Sequence, residues 1–202
     1  MSKYEISTDE GVWQPGAEAG VLKNLRGLTL KDDIDAAETK LLEDLYFEVL
    51  GNLPDVLTFD DICRWHRRWL GNLYDWAGKL RTVNMSKGDF HFAAVTQLPA
   101  QCQQFDAEYL SEFKFLFEME SEPLIEHLAR THAEFILIHP FREGNGRLSR
   151  LLMSAQLVQA GRQPMDFQLW DEHKKFYFKS IQASVGGDYQ HIKRLVSDSL
   201  TS

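Results

Sequence analysis

The chain has 202 residues, 44% hydrophobic and 26% charged, ordinary proportions for a soluble globular protein and enough for one domain with a real core. A formal net charge of −8 speaks against coating nucleic acid, which calls for a basic face, and leaves room only for a local basic pocket. No apolar run approaches a membrane span, the start MSKYEISTDEG lacks signal-peptide features, and Cys63 and Cys102 lack metal-like spacing; we expect a cytoplasmic protein with reduced thiols, no membrane contact and no direct nucleic-acid binding.

In chain order, residues 1–30 are broken by Gly11, Pro15, Gly16, Gly20 and Gly27 and read as an extended or partly ordered arm. A helix follows, capped by Asp32 or Asp33, with Ile34, Ala37, Leu41, Leu45 and Val49 at helical spacing and Gly51 and Pro54 as its stop. A second helix is predicted from Thr58, with Asp60 and Asp61 in its first turn and Gly78 at its end. KLRTVNMSKGDFHFAAV is the one part with strand character: Leu80, Val83, Phe90, Phe92 and Val95 flank an SKGD turn, which predicts a short β-hairpin.

Beyond Pro99, Phe105, Tyr109, Phe113 and Phe117 recur every four residues through 100–118. The segment 122–138 is a helix with Leu124, Leu128, Phe135 and Ile138 on one face and Pro123 in its first turn. Leu148, Leu151, Leu152, Ala155 and Val158 mark the next, ended by Gly161. Two more are expected over 170–184 and 188–199, separated by GGD. The fold class is mainly α with one hairpin, and thirteen Phe and five Trp argue for an aromatic interior or groove.

The loop HPFREGNGRLSR, His139 to Arg150, is the chemically dense stretch. Its two glycines flank Asn145 just before a helix, where unpaired amides and the helix dipole favour an anion. Arg147 and Arg150, at i and i+3, add charge at the end of a helix that disfavours cations, so an anionic ligand is expected to offset them. A glycine turn with no ligand is the alternative, and the lysine of a P-loop is missing. Glu143 beside such a nest reads as a magnesium ligand shared with phosphate oxygens, or as a surface glutamate paired with an arginine. His139, before Pro140, is expected to be extended and to stand at the helix exit. An imidazole, with an ordinary pKa of about 6.5, can take a proton there. The other six histidines lack such neighbours in the sequence. The set suits attack of a hydroxyl on a nucleotide phosphate.

These twelve residues match the signature HPFx[D/E]GNGRxxR at every specified position, and the chain resembles the Fic family. WHRRWLGNLYDWAGKLRTVNMSKGDFHF is similar to the family's region leading into its flap, and YFKSIQASVGGDY to its downstream helix and turn, so the resemblance covers roughly 55–190. After the N-terminal arm at 1–30, it implies a Fic-type helical bundle, assigned to 31–200 because the earlier helix also fits, with a short β-hairpin flap above the active site. It further implies AMP transfer from ATP, as co-substrate with Mg2+, to a Tyr, Thr or Ser hydroxyl of a target protein, with release of pyrophosphate.

By the resemblance, His139 is the base and Glu143 holds magnesium; Gly144, Asn145 and Gly146 form the anion hole. Arg147 meets the phosphates, Arg150 the γ-phosphate, and Phe141 anchors the loop in the core. Lys87, Gly88, Asp89, Phe90, His91 and Phe92 match the flap that docks the target, with a plain hairpin as the alternative. Tyr177 falls where family members place an aromatic near the adenine, or is a core tyrosine.

Intact GNGR favours AMP transfer over the phosphate transfer of the Doc-like kinases; transfer of UMP, phosphocholine or phosphate, and a non-catalytic interaction module, are the alternatives. The family's inhibitory motif [S/T]xxxE[G/N] has no clear match, because Glu10 has Ile6 where Ser or Thr belongs and Glu143 lies in the active loop. The resemblance then implies a toxin-type enzyme controlled by a small antitoxin that supplies the glutamate, with an inhibitor-free enzyme as the alternative.

Overall fold

A computed structural model describes residues 11–200. The predicted start at Met1–Glu10 lies outside the described residues. Residues 11–30 lie against the domain: Val21 and Leu22 are buried, Trp13 and Leu22 form a β-bridge, and the Leu25 amide donates to the Leu73 carbonyl at 2.8 Å. The side chain of Asn24 organises the turn, donating to the carbonyls of Leu22 and Leu28 and accepting from the Leu28 amide.

Helix α1 spans Lys31–Gly51. Asp32 and Asp33 do not cap it; they lie in its first turn, and the preceding segment serves the end instead, Glu18 accepting from the Lys31 amide at 2.8 Å. Helix α2, Phe59–Leu70, starts behind Thr58 as predicted, through a reciprocal capping box with Asp61. It stops at Leu70 rather than at Gly78, and 71–78 is a run of turns closed by Gly78 at φ +79°.

The hairpin is minimal. Strands β1 (Ser86–Lys87) and β2 (Phe90–His91) pair antiparallel, Ser86 with His91 and Lys87 with Phe90, around Gly88 at φ +59°. Helix α3, Leu98–Glu108, takes Pro99 in its first turn. The four-residue aromatic spacing does not continue as one helix. At Tyr109 the chain tightens into a 3-10 helix, Leu110–Glu118, which buries Leu110, Phe113 and Leu116 at a period of three and leaves Phe117 exposed.

Helix α4, Ser121–Ile138, runs through the core with Leu124, Leu128, Phe135 and Ile138 buried as the periodicity predicts. It packs on α5 (Asn145–Gln159) and α8 (Gln190–Leu200). The stretch expected as one helix over 170–184 is two, α6 (Gln168–Glu172) and α7 (Lys174–Ser184), parted at His173. The GGD turn ends in Asp188, whose carboxylate accepts from the Gln190 amide at the start of α8.

Burial pushes His127 of α4 down to about 4 and His132 to about 3, from the ordinary 6.5. Below pH 6.5 the unfolded chain then binds protons that the folded chain refuses, so stability is full above that pH and is lost as pH falls toward 4. Thermal melts between pH 7 and pH 4 are expected to show a steady fall in Tm; a flat profile would mean these rings are not buried neutral.

Candidate active site

The loop between α4 and α5 is pinned from inside the protein. Phe141 is fully buried and its ring lies flat on His66 of α2, centroids 4.0 Å apart. The Asn145 side chain staples the loop, accepting from the Phe141 amide at 2.9 Å and donating to the Phe141 carbonyl at 2.7 Å. Its side-chain amide is thus committed to loop shape, and what Asn145 can offer an anion is its backbone N–H at the start of α5.

The two glycines differ. Gly144 has φ +84°, and a Cβ there would meet Trp69 at 2.6 Å, so only glycine fits. A Cβ on Gly146 would meet nothing within 4 Å; the space in front of the first turn of α5 is open. Glu143, with about a fifth of its side chain exposed, bonds the Gly144 amide at 3.1 Å and stands 3.8 Å from the Arg147 guanidinium.

His139 is not extended. It takes left-handed geometry, φ 49° and ψ 59°, as the C-cap of α4, its amide bonded to the Phe135 carbonyl. Proline after it disfavours the right-handed continuation, and the conformation is locked by the side chain of Arg81, whose Nε donates to the His139 carbonyl at 2.7 Å. The ring stacks on Phe92 at 3.7 Å, and Nδ1 is 3.2 Å from the Ile136 carbonyl. A carbonyl only accepts, so the neutral ring carries its proton on Nδ1 and keeps its lone pair on Nε2.

Both arginines are engaged by carboxylates from other helices. Arg147 pairs with Glu38 of α1 at 2.7 Å and lies over the Trp69 ring. Arg150 is held bidentately by Asp171 of α6, at 3.0 and 2.7 Å, and this pair keeps the Asp171 carboxyl below its ordinary range. The sequence pointed to neither acid.

One cavity of about 500 Å³ is lined by His139, Glu143, Gly144, Asn145, Gly146, Arg147 and Arg150, a volume that suits a small-molecule ligand. From the hairpin Lys87, Phe90 and Phe92 also line it; Gly88 and Asp89 form the turn outside it, and His91 borders a neighbouring groove. Lys87 reaches across to the ring of Phe178 on α7, 3.3 Å from its centroid, which closes the hairpin over the site. Tyr177 combines both readings: it lines the cavity, but its hydroxyl bonds His132 Nε2 at 2.9 Å, and burial pushes its pKa up. It presents its ring to the cavity while its hydroxyl serves the core.

His66 is the positioning residue that sequence reading passed over. Its Nδ1 accepts from the Gly78 amide at 2.7 Å, so Nε2 carries the proton and donates to the Glu143 carbonyl at 3.1 Å. Nothing in its own neighbourhood in the chain marks it, because the contact spans 77 positions.

Fold and site together define a helical domain that sets a histidine beside a glycine turn and two arginines at a helix N-terminus, under a hairpin. The chain belongs to the Fic/DOC family, which matches residues 56–157. It is 34% identical over 142 residues to the protein adenylyltransferase Fic of Nematostella vectensis, covering 70% of this chain and 32% of that relative. Over 163 residues it is 30% identical to the protein adenylyltransferase VbhT of Bartonella schoenbuchensis, covering 80% and 33%. The chain therefore spans about a third of the length of these relatives. In fold it is similar to the BepC protein of Bartonella tribocorum, solved with bound AMPPNP, at a TM-score of 0.74 and 19% identity over 94% of this chain and 97% of that one.

Proposed function

We propose that this chain transfers AMP from ATP to a Tyr, Thr or Ser hydroxyl of a target protein, releasing pyrophosphate. The observation that carries the reading is that one cavity joins the His139 ring, with its lone pair on Nε2, to the open first turn of α5 and two arginines. The curated relatives named as protein adenylyltransferases support it.

In this reading His139 takes the proton from the target hydroxyl through Nε2 as the oxygen attacks the α-phosphorus of ATP. The bond from that phosphorus to the bridging oxygen breaks, and pyrophosphate leaves with both electrons of that bond. The amides at the start of α5 and Arg147 stabilise the charge that develops on the phosphates, and Arg150 meets the γ-phosphate. Phe92 keeps the ring of His139 in place. The hairpin is short and borders the cavity, which fits a target segment added alongside it through backbone hydrogen bonds.

Glu143 fits a magnesium site: a carboxylate that lines the cavity beside the first turn of α5 suits an ion that takes its other ligands from phosphate oxygens and water. Magnesium bound there would offset the charge of the α- and β-phosphates. We place the reaction in the cytoplasm, where ATP is present; no described helix is long and apolar enough to cross a membrane.

Label position tests the reading. With ATP and magnesium, α-labelled ATP should mark a protein and γ-labelled ATP should not; transfer of the γ-label would replace AMP transfer by phosphate transfer. Mass spectrometry of the modified peptide then identifies the target.

We infer toxin-type control by a small partner that brings a glutamate to Arg150. Asp171 already bonds two nitrogens of that guanidinium, so both the γ-phosphate and such a glutamate would compete with it for the charge. Asp171→Asn is expected to tighten ATP by roughly two- to fivefold, the worth of an exposed ion pair, and to leave ADP unchanged. Equal tightening of both nucleotides in a binding titration would dissociate Arg150 from the γ-phosphate.

A further inference from the structure

Arg147 projects from the first turn of α5, and more than a third of its side chain is exposed. It borders two spaces. One is the phosphate cavity; the other, of about 860 Å³, lies on its far side and is also lined by Glu38, Tyr74, Arg142 and Glu143. A long, flexible cation between two open spaces keeps no single geometry unless something holds it.

We propose that Glu38 of α1 is the positioning residue of the phosphate site, a buried carboxylate that holds the Arg147 guanidinium beside Glu143 at the mouth of the nest. The proposal rests on the nucleotide-binding reading given above. Glu38 is 4% exposed, and each of its carboxylate oxygens has one partner: Oε1 accepts from the Tyr74 hydroxyl at 2.8 Å and Oε2 from Arg147 at 2.7 Å. Its backbone carbonyl accepts from Trp69 Nε1 at 2.9 Å.

The same indole lies beneath the Arg147 guanidinium, 4.5 Å from its centroid, and fills the space that any Cβ on Gly144 would need. Glu38 is thus tethered to the tryptophan that shapes the nest. The carboxylate cannot follow Arg147 out, so the arginine stays. Its second nitrogen is left 3.8 Å from Glu143, which lines the phosphate cavity with it. The rotamer freedom that phosphate binding would otherwise remove is given up when the protein folds.

The test uses the purified full chain and titrations with AMPPNP, with thermal melts alongside. Glu38→Gln keeps the shape and the acceptor for Tyr74 but loses the charge; it should weaken binding about two- to tenfold, the cost of ordering one long side chain. Tyr74→Phe removes only the hydroxyl that fixes the carboxylate and should weaken binding in the same direction by less. In an Arg147→Gln background, Glu38→Gln should cause no further loss.

The proposal is overturned if Glu38→Gln binds as tightly as the unaltered chain, whatever its Tm, or if the double variant loses the product of the two single effects. An unaltered chain that does not bind AMPPNP removes the nucleotide reading along with it; tight binding combined with an indifferent Glu38→Gln removes the role of Glu38 alone.

Discussion

Alanine at His139 is expected to lower AMP transfer by roughly 10²–10⁴-fold, the usual contribution of a positioned base, while AMPPNP binding stays near its unaltered value. The reason for the split lies in the geometry. The ring is stacked on Phe92 and bonded to the Ile136 carbonyl, whereas the groups read as holding the phosphates are the first amides of α5 and the two arginines, which alanine at His139 leaves in place. Only the lone pair on Nε2 is lost from the chemistry. Single-turnover transfer and equilibrium titration on the same preparation separate the two effects. Loss of binding in parallel with loss of transfer would instead make His139 part of the ligand cradle.

Leucine at Arg81 is expected to destabilise the fold by about 3–5 kcal/mol, the cost of stripping partners from several buried polar groups at once. Arg81 is 2% exposed and lies in the turn region after α2. Its Nε donates to the His139 carbonyl at 2.7 Å, and its terminal nitrogens reach the carbonyls of Val83, Ala93 and Ile138 at 2.5, 2.6 and 3.3 Å. Its own amide donates to the Pro140 carbonyl at 2.8 Å. One side chain therefore ties both flanks of the hairpin to the end of α4 and holds the left-handed backbone of His139. Denaturant melts of Arg81→Leu should show the full loss, and AMP transfer should fall even in the folded fraction, because the His139 backbone is no longer clamped. Arg81→Lys should recover little, since a point charge cannot serve four carbonyls in a plane. A near-neutral melt for Arg81→Leu would show that water or rearrangement satisfies those carbonyls.

Much of the site was legible in the chain because it is local. Residues 139–150 carry their chemistry within one loop and one helical turn, and the requirement for glycine at φ +84° and for uncapped amides at a helix start follows from short-range sterics. The same holds for the Thr58 cap, the buried face of α4 and the hairpin turn. Between 105 and 117 local spacing suits two structures: Phe105, Tyr109, Phe113 and Phe117 fit one α-helix, but packing prefers the 3-10 turns that bury Leu110, Phe113 and Leu116 together. His139 departs from its expected extended backbone for a similar reason. The preference of a residue before proline is weak next to a buried guanidinium that clamps its carbonyl.

Legible in the chain alone is which residues line the cavity: the histidine, the acid, the glycines and the two arginines all fall within one stretch of the sequence. How each of them is aimed depends on the packed helices. His66 holds the Glu143 carbonyl, Arg81 the His139 backbone, Glu38 one arginine and Asp171 the other, across separations of 77, 58, 109 and 21 positions. Each of these is a polar group whose partner is chosen by burial and proximity after the helices pack. Such pairing leaves no periodic trace in the chain, because a hydrogen bond or ion pair is specified by where two atoms meet in space and not by how many residues lie between them.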